Sequence, residues 1–475
     1  MKNRSYGRRD VLKLGAAGGL SLLAGPAGDA GAVGGQERPN IVFIILDDMG
    51  PYELSCLGHD KLETPNMDRM AAEGMRFTQC YAGAPVCAPA RSTLMTGQHM
   101  GHTSVRGNPG GVSLLAEDVT VAEVLKKAGY ATGGFGKWGV GDVATPGVPE
   151  EHGFDTFFGY YHQVHAHYYY TPYLWRNSEK VKFPENEGGK RGTFTQYPIF
   201  EEGMKFIREN QDGPFFCYMP WTIPHGPHRH FPEDDPAWQK FADKDWPHGA
   251  KVYASMVSMA DRQVGCVLDL LDELDIADNT IVFLCSDNGA TPYQNNFFQG
   301  AGPLRGFKKD LYEGGLRTFM IARWPGRIQA GSVSDLAWYF PDVMPTLAEI
   351  AGVSDHLPSD MDGMSVAPTL LGRPKRQEKH EYLYWEYREV ANWRTLTYEE
   401  HLAQAVRMGD WKGIRQSREE DFQLYDQSQD IGETNDVAGS HPKVAQRIER
   451  IATKAHEDPP SQEEPPPRPP EGRYM

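Results

Sequence analysis

The run Asn40 to Leu46 reads NIVFIIL, apolar at almost every position and rich in β-branched side chains. A strand buried on one face alternates polar and apolar residues. A strand without alternation must be covered on both faces, as happens inside a parallel sheet. Pro214 to Met219 and Thr280 to Cys285 repeat the pattern, and Tyr130 to Phe135 reads as a shorter strand leading into Lys137. Helical patterns lie between them. Thr64-Pro65 opens one helix with proline at its first position, and Gly74 closes it. Thr120 to Glu123 is a capping box ahead of Val124-Leu125, with Gly129 as the stop. Tyr253 to Leu274 carries apolar residues at helical spacing. This alternation predicts an α/β fold with a large, mostly parallel sheet flanked by helices. Ligands of such sheets bind beyond the carboxyl ends of the strands.

A chain of 475 residues has room for more than one domain. The composition turns polar and basic around Gly372-Arg373-Pro374-Lys375-Arg376. Beyond it, Glu381–Tyr387, Ala405–Gly409, Trp411–Ile414 and Phe422–Tyr425 read as short strands and His441–His456 as a helix. The expected division is a main domain over 36–372, a smaller α+β C-terminal domain with antiparallel strands over 373–456, and a proline-rich tail over 457–475. Residues 1–35 stand apart. Arg8-Arg9-Asp10-Val11-Leu12-Lys13 is a twin-arginine pattern, followed by a short Gly/Ala/Leu stretch and small residues around Ala30-Gly31-Ala32. They read as a Tat-type export signal, which makes the Tat export machinery a partner and predicts a soluble periplasmic or secreted product after cleavage. A net charge of −16 argues against nucleic acid as a partner. Six cysteines are too few for a disulfide scaffold in a chain this long, though Cys56 and Cys80 remain a candidate pair.

Chemistry-bearing residues gather at the predicted strand ends. Asp47 and Asp48 follow the first strand, and Asp287 and Asn288 follow the Thr280 strand. Oxygen ligands with this much negative charge suit a hard divalent cation, Ca²⁺ or Mg²⁺, rather than zinc. Either pair alone could be only a helix cap or turn. Ala84 to Gly97 reads APVCAPARSTLMTG, with Cys87 and Arg91 in the order C-x-P-x-R at the start of a predicted helix. Helix-start N–H groups and a guanidinium favour an oxyanion beside a possible nucleophile. A bare C-x-P-x-R would otherwise be an inert thiol and a surface arginine. Gly136-Lys137-Trp138, Pro224-His225-Gly226-Pro227 and Lys308 in the stretch Gly302 to Arg317 add cationic candidates. Each taken alone reads as a surface lysine or a satisfied histidine.

The Cys87 stretch resembles the signature of the type I sulfatases, of the alkaline phosphatase-like superfamily. The other motifs follow in that family's order, from Arg38 to about Ala438. The resemblance implies that Cys87 is oxidised to Cα-formylglycine by a formylglycine-generating or sulfatase-maturating enzyme. It implies that Asp47, Asp48, Asp287 and Asn288, with the converted Cys87, hold Ca²⁺ or Mg²⁺. It also implies that Arg91, Lys137 and Lys308 neutralise the sulfate and that His225 faces the leaving oxygen. The expected activity is hydrolysis of a sulfate ester, on a sulfated small molecule or glycan. A hydrate hydroxyl attacks sulfur, an acid (His225 or Lys308) protonates the alcohol, and the second hydroxyl expels sulfate. An unmodified thiol has no second proton to lose for that last step. The alternatives are a phosphonate or phosphate ester hydrolase of the same superfamily, or a non-catalytic binder of sulfated glycans if Cys87 stays a thiol.

One position departs from the pattern. The family element usually reads G-K-W-H-L-G, and here Gly139 stands where the histidine would be. The stretch Tyr160 to Tyr170 follows, with His162, His165 and His167. On an extended chain His165 and His167 would face the same way. They are candidates for a catalytic or substrate-binding role, against an aromatic surface loop.

Overall fold

The computed structural model describes residues 38–459 apart from 393–396 and 399–400. The twin-arginine segment and nearly all of the proline-rich end lie outside the described residues.

The first expected strand is β1 (Asn40–Leu46), buried at every position. It lies inside an 11-stranded sheet. The other members are β2 (Met75–Tyr81), β3 (Ala131–Lys137), β4 (Thr156–Tyr160), β5 (Tyr173–Arg176), β6 (Glu179–Lys182), β7 (Phe215–Pro220), β8 (Thr280–Ser286), β9 (Arg317–Arg323), β10 (Ser332–Ser334) and β11 (Trp338–Tyr339). The order is β10-β2-β9-β8-β1-β7-β3-β4-β5-β6, with β11 also beside β2. The centre, β8-β1-β7-β3-β4, is parallel throughout. Antiparallel pairing enters with β9 on one side and with β5 and β6 on the other.

The lack of alternation in β1 has its cause in two separate cores. Ile41, Phe43 and Ile45 pack with the helices Cys87–Thr96, Val121–Lys127 and Val343–Ala351. Val42, Ile44 and Leu46 pack on the opposite face with Pro65–Glu73, Gln196–Glu209 and His248–Glu273. Each such side chain, fully removed from water, is worth about 1.5–3 kcal/mol, so one charge in this run would be costly on either face. The capping box at Thr120 and Glu123 forms as expected.

A four-stranded antiparallel sheet follows: β12 (Leu383–Tyr387), β15 (Ala403–Met408), β16 (Trp411–Arg415) and β17 (Gln423–Asp426), in that order. A short pair, β13 (Val390–Asn392) and β14 (Thr397–Tyr398), lies apart from it. The helix Pro442–Ala455 covers one face through Ile448, Ala452 and Ala455. On the other face Leu383, Trp385, Ala405 and Ile414 pack against Tyr81, Val86, Cys87 and Leu316. The small sheet thus backs the loop that carries Cys87. All six cysteines are free. Cys56 is exposed and Cys80 buried in β2, so the Cys56–Cys80 pairing considered from sequence does not occur.

Candidate active site

Register builds the site. Leu46 of β1 pairs with Ser286 of β8, so Asp47 and Asp287 leave the sheet side by side, with the Asp287 N–H donating to Leu46 O at 2.9 Å. Asp48 sits at φ 70°, a left-handed conformation that aspartate tolerates better than most residues. Its N–H reaches Asp287 Oδ1 at 3.3 Å, and Asn288 Nδ2 donates to Asp48 Oδ1 at 2.8 Å. β7, on the other side of β1, ends at Pro220 and leads on to His225. β3 ends at Lys137. Every candidate from these strands therefore arrives at one edge of the parallel centre, as such sheets require.

Cys87 is the first residue of the helix Cys87–Thr96 and is wholly buried. Its Sγ lies 3.5 Å from Asp47 Oδ1 and 3.2 Å from Lys308 Nζ. Two backbone bonds place Lys308: its own N–H to Ala290 O, and the N–H of Lys309 to Pro85 O, each 2.8 Å. The loop is thereby tied both to the segment after Asn288 and to the segment before Cys87.

The cations meet the carboxylates in pairs. Lys137 Nζ is 2.5 Å from Asp47 Oδ2, and Lys308 Nζ is 2.6 Å from Asp48 Oδ1. Arg91 Nη2 reaches Asp287 Oδ2 at 2.8 Å and Asp47 Oδ2 at 3.3 Å, and its Nη1 holds the Lys137 carbonyl at 2.7 Å. His225 donates from Nδ1 to the Gly226 carbonyl at 2.5 Å, which leaves Nε2 facing Asp48 Oδ2 at 3.3 Å.

Protonation follows from burial and these charges. Burial works to raise the pKa of Asp47, but Lys137, His225 and Arg91 hold it well below the carboxylate range. The same contest, with Lys308 the main opponent of burial, lowers Asp48 to about 2. Asp287 goes the other way: burial, then the charge of Asp47, lifts it to about 6. Burial first, then Asp287 and Asp47, pushes the Cys87 thiol up to about 12, so at neutral pH it is a protonated thiol and a poor nucleophile.

The donor set fits a hard cation. Asp47, Asp48, Asp287 and Asn288 are all buried, and Asn288 Oδ1 has no hydrogen-bond partner among the described residues. A buried amide oxygen without a donor is costly unless something positive meets it. Ligand atoms of Asp47, Asp48, Cys87 and His225 all lie within 4.8 Å of one another.

The two histidines predicted to share a face do not. Residues His165–His167 form a 3-10 turn rather than an extended segment, so their side chains diverge. His165 turns away from the catalytic cluster, bonded through Nε2 to Thr171 Oγ1 at 2.8 Å and packed on Tyr160 and Tyr173. His167 comes to the site's edge, its ring stacked on that of His225 at 4.1 Å with planes 8° apart. Burial, then the nearby His225 and Lys137, holds its pKa well below the usual imidazole value.

Two residues were missed from sequence. Tyr293, six residues beyond the Asp287 pair's start, donates to Asp48 Oδ2 at 2.5 Å and accepts from the Gly226 N–H at 3.0 Å. Its signal was simple proximity to the acidic motif. Gln163 is the other. Gly139 has φ 82°, and a Cβ there would stand 3.0 Å from Gln163 Oε1 and 3.4 Å from Arg91 Cδ. Gln163 therefore fills the space beside the absent histidine. It is 3% exposed, and neither amide atom has a hydrogen-bond partner among the described residues. In the sequence it is one polar residue among His162, His165 and His167, with no motif of its own.

Comparison with known proteins agrees with this geometry. The family profile described as Sulfatase matches residues 39–353, and that described as N-sulphoglucosamine sulphohydrolase, C-terminal, matches residues 305–457. Human arylsulfatase A is 33% identical, over 90% of this chain and 89% of its own length. The N-acetylgalactosamine-6-O-sulfatase of Bacteroides thetaiotaomicron is 28% identical, over 91% of this chain and 96% of its own. Among solved structures, Ps i-CgsB in complex with k-i-k-neocarrahexaose superposes with a TM-score of 0.75 at 25% identity, covering 89% of this chain and 94% of that one.

Proposed function

The chain belongs to the sulfatase family, and from that premise we propose an exported enzyme that removes sulfate from a saccharide, using a formylglycine made from Cys87 and a Ca²⁺ or Mg²⁺ ion. That it is a sulfuric ester hydrolase follows from the family itself. The saccharide reading is supported by relatives named as acting on N-acetylgalactosamine sulfates. The twin-arginine pattern supports export to the periplasm or beyond through the Tat machinery. Among the described residues no helix is long and apolar enough to cross a membrane.

One observation carries the reading. Asp47 and Asp48, at the end of β1, lie with Cys87 and His225 in one cluster, and at the end of the paired β8 Asn288 Oδ1 is a buried acceptor with no donor among the described residues. Asp47, Asp48, Asp287 and Asn288 would hold the cation, which when bound supplies Lewis-acid polarisation of a sulfate oxygen and of the nucleophile's hydroxyl. Conversion of Cys87 by a maturation enzyme of the host to a group with two hydroxyls in its hydrated form is supported by the C-x-P-x-R stretch from Ala84 to Gly97 and by the family match over it.

The chain's own residues divide the remaining work. Asp47, Asp48 and Asp287 are balanced by Arg91, Lys137 and Lys308, so a divalent cation adds a surplus of positive charge that an anionic ester can neutralise. Lys137 and Lys308 are bound to those carboxylates only by single short contacts and can turn to a sulfate oxygen. Lys308 and His225 are the two candidates to give a proton to the leaving alcohol; because Nδ1–H of His225 is engaged by the Gly226 carbonyl, its Nε2 carries a proton to give only when the ring is an imidazolium. Gln163 replaces the usual histidine as a hydrogen-bonding group but cannot accept a proton, so sulfate expulsion needs a different base; His225, once it has given up its proton, is the nearest.

The test is a panel of monosulfated sugars beside aryl sulfates and aryl phosphonates, run on protein whose intact mass establishes the state of Cys87, before and after chelation. The expected result is turnover of a sulfated sugar by converted protein, lost on chelation and restored by Ca²⁺ or Mg²⁺. Turnover of phosphonates alone, or equal turnover by unconverted protein, overturns the proposal.

A further inference from the structure

A cleft of ≈ 430 Å³ opens beside the catalytic cluster. His167 stands in its wall and, through its stack on His225, ties it to the reacting centre. The same cleft is lined by Lys190, Arg191, Arg229 and His230, with Tyr168 and Tyr170 between them. These four basic side chains are exposed. Among the described residues none of Lys190, Arg191 and Arg229 is paired with a carboxylate; Arg191 Nη1 meets only the imidazole of His230, at 2.8 Å. Nearby arginines behave differently: Arg176 and Arg262 are each held by a carboxylate, Glu202 and Asp235, at 2.7 Å.

In a chain of net charge −16, unpaired cations gathered in one concavity need a reason. Like charges repel, and a folded protein gains nothing by crowding them unless an anion arrives. Burial, then Arg191, His248 and Arg229, keeps His230 below its ordinary pKa, which lets its neutral ring accept from Arg191 and leaves the guanidinium's other N–H groups free. Tyr170, Arg191, Arg229 and His230 also border a neighbouring hollow of ≈ 760 Å³, but its further wall carries Glu233 and Asp234. The field therefore favours an anion on the His167 side.

We propose that this cleft binds a second oxyanion, sulfate or carboxylate, carried by the same saccharide whose sulfate ester is cleaved at Cys87. Guanidinium forks suit planar carboxylate and tetrahedral sulfate edges alike, and the tyrosine rings offer flat apolar faces for the sugar that joins the two anions. The enzyme then prefers a doubly anionic saccharide over a singly sulfated one. The proposal rests on the sulfatase reading of the Cys87 centre.

Three probes test it: a hexosamine with one sulfate, the same sugar with two, and a disaccharide pairing the monosulfated sugar with a uronate. Wild type and the double variant Arg191→Ala/Arg229→Ala are compared by kcat/KM on each. Binding of each is also measured by calorimetry in Cys87→Ala protein with and without the two arginine changes. The expected result is a loss on the order of 10–100-fold in kcat/KM and in affinity for a doubly anionic probe, with little change for the monosulfated sugar. Which doubly anionic probe suffers tells sulfate from carboxylate. Binding that depends on the arginines should also weaken with added salt. Equal losses on all three probes, or none on any, overturn the proposal. If no sulfate ester is turned over by converted protein while calorimetry still shows the arginine-dependent affinity, the sulfatase reading falls and the cleft stands. Turnover without arginine dependence removes the cleft alone.

Discussion

Two clusters of buried charge in this molecule are built on opposite logic. The first, around Glu313, joins the two sheets. Glu313 Oε1 takes Lys412 Nζ at 2.8 Å, and Oε2 takes Tyr81 Oη at 2.9 Å and Arg317 Nε at 3.0 Å. Glu433 completes it, with Oε2 on the Glu313 N–H at 2.7 Å and Oε1 paired to Lys412 Nζ at 3.1 Å. Arg407 adds a donor to Tyr81. The second cluster is the candidate active site. There, among the described residues, Asn288 Oδ1, both amide atoms of Gln163 and Nε2 of His167 are buried without hydrogen-bond partners. The Glu313 cluster meets almost all of its polar atoms from within, Glu433 Oε1 alone being held by its ion pair to Lys412 without a hydrogen bond, and a cluster so nearly closed holds a fold together. A cluster left short of partners is arranged for something that comes from outside. Both clusters are built largely of buried charged residues, so the balance of partners, not burial or charge, separates scaffold from site.

The strongest way to break that contrast is to cross the two. Cys87→Ala should lower kcat by roughly 10⁴–10⁶-fold, the scale of losing a nucleophile, with the denaturation midpoint almost unmoved. Lys412→Met should do the reverse. It leaves Glu313 Oε1 and Glu433 Oε1 in the interior without their shared cation, at a cost of roughly 3–5 kcal/mol in unfolding free energy, while the protein that stays folded keeps its kcat. Urea denaturation and initial rates on the same preparations decide it. A Lys412→Met protein as stable as wild type but inactive would place that cluster in the site and dissolve the distinction.

How far the sequence reaches can be seen from where this contrast was legible. The β1 and β8 strands, their parallel neighbours and the acidic pairs at their ends were readable because unalternating apolar runs admit few other folds. The helix beginning at Cys87 and the four short C-terminal strands were readable from turn and alternation signals. Partner counts were not readable. Nothing in the spacing of Glu313 and Lys412 shows that they meet, because the contact joins two sheets across 99 positions of sequence. The placement of His165 and His167 failed for a local reason. Spacing of two implies a shared face only on an extended chain; the 3-10 turn that forms sends one histidine into an aromatic pocket and the other onto His225. Gln163 was invisible because its importance lies in bonds it does not make.

Gln163 sharpens the comparison next. Because its amide has no partner to lose, Gln163→Ala should leave stability nearly unchanged. Because it lies beside Arg91 and the Gly139 gap, the loss of one preorganised donor should cost roughly 10²–10³-fold in kcat. Gln163→Glu keeps the shape but adds negative charge, and should do no better than the alanine. A variant that loses stability and keeps its rate would move Gln163 to the scaffold side.

The smallest effect is expected at His380, on the connection between the two sheets. Its Nε2 donates to Asp342 Oδ1 at 2.7 Å, and Asp342 also accepts the Met364 N–H at 2.9 Å and the Tyr339 N–H at 3.1 Å. Burial works to lower the His380 pKa, but the Asp342 carboxylate outweighs it, and the net shift is upward. A histidine whose folded pKa exceeds its unfolded value stabilises fully below the unfolded pKa, and the contribution fades as pH rises through the folded pKa. The charged bond, worth about 1.5–3 kcal/mol at most, should therefore be present near pH 5.5 and weaken above neutrality. His380→Gln keeps a neutral donor and cannot titrate. Wild type should exceed it in stability at acid pH, and the gap should close toward alkaline pH. Urea midpoints across that range give the answer, with kcat unchanged at each pH. If the gap instead widens with pH, the imidazole is neutral in the fold and the tether holds by packing alone. If the rate moves with it, a contact counted as scaffold reaches the reacting centre, and the division by partner count fails at its easiest case.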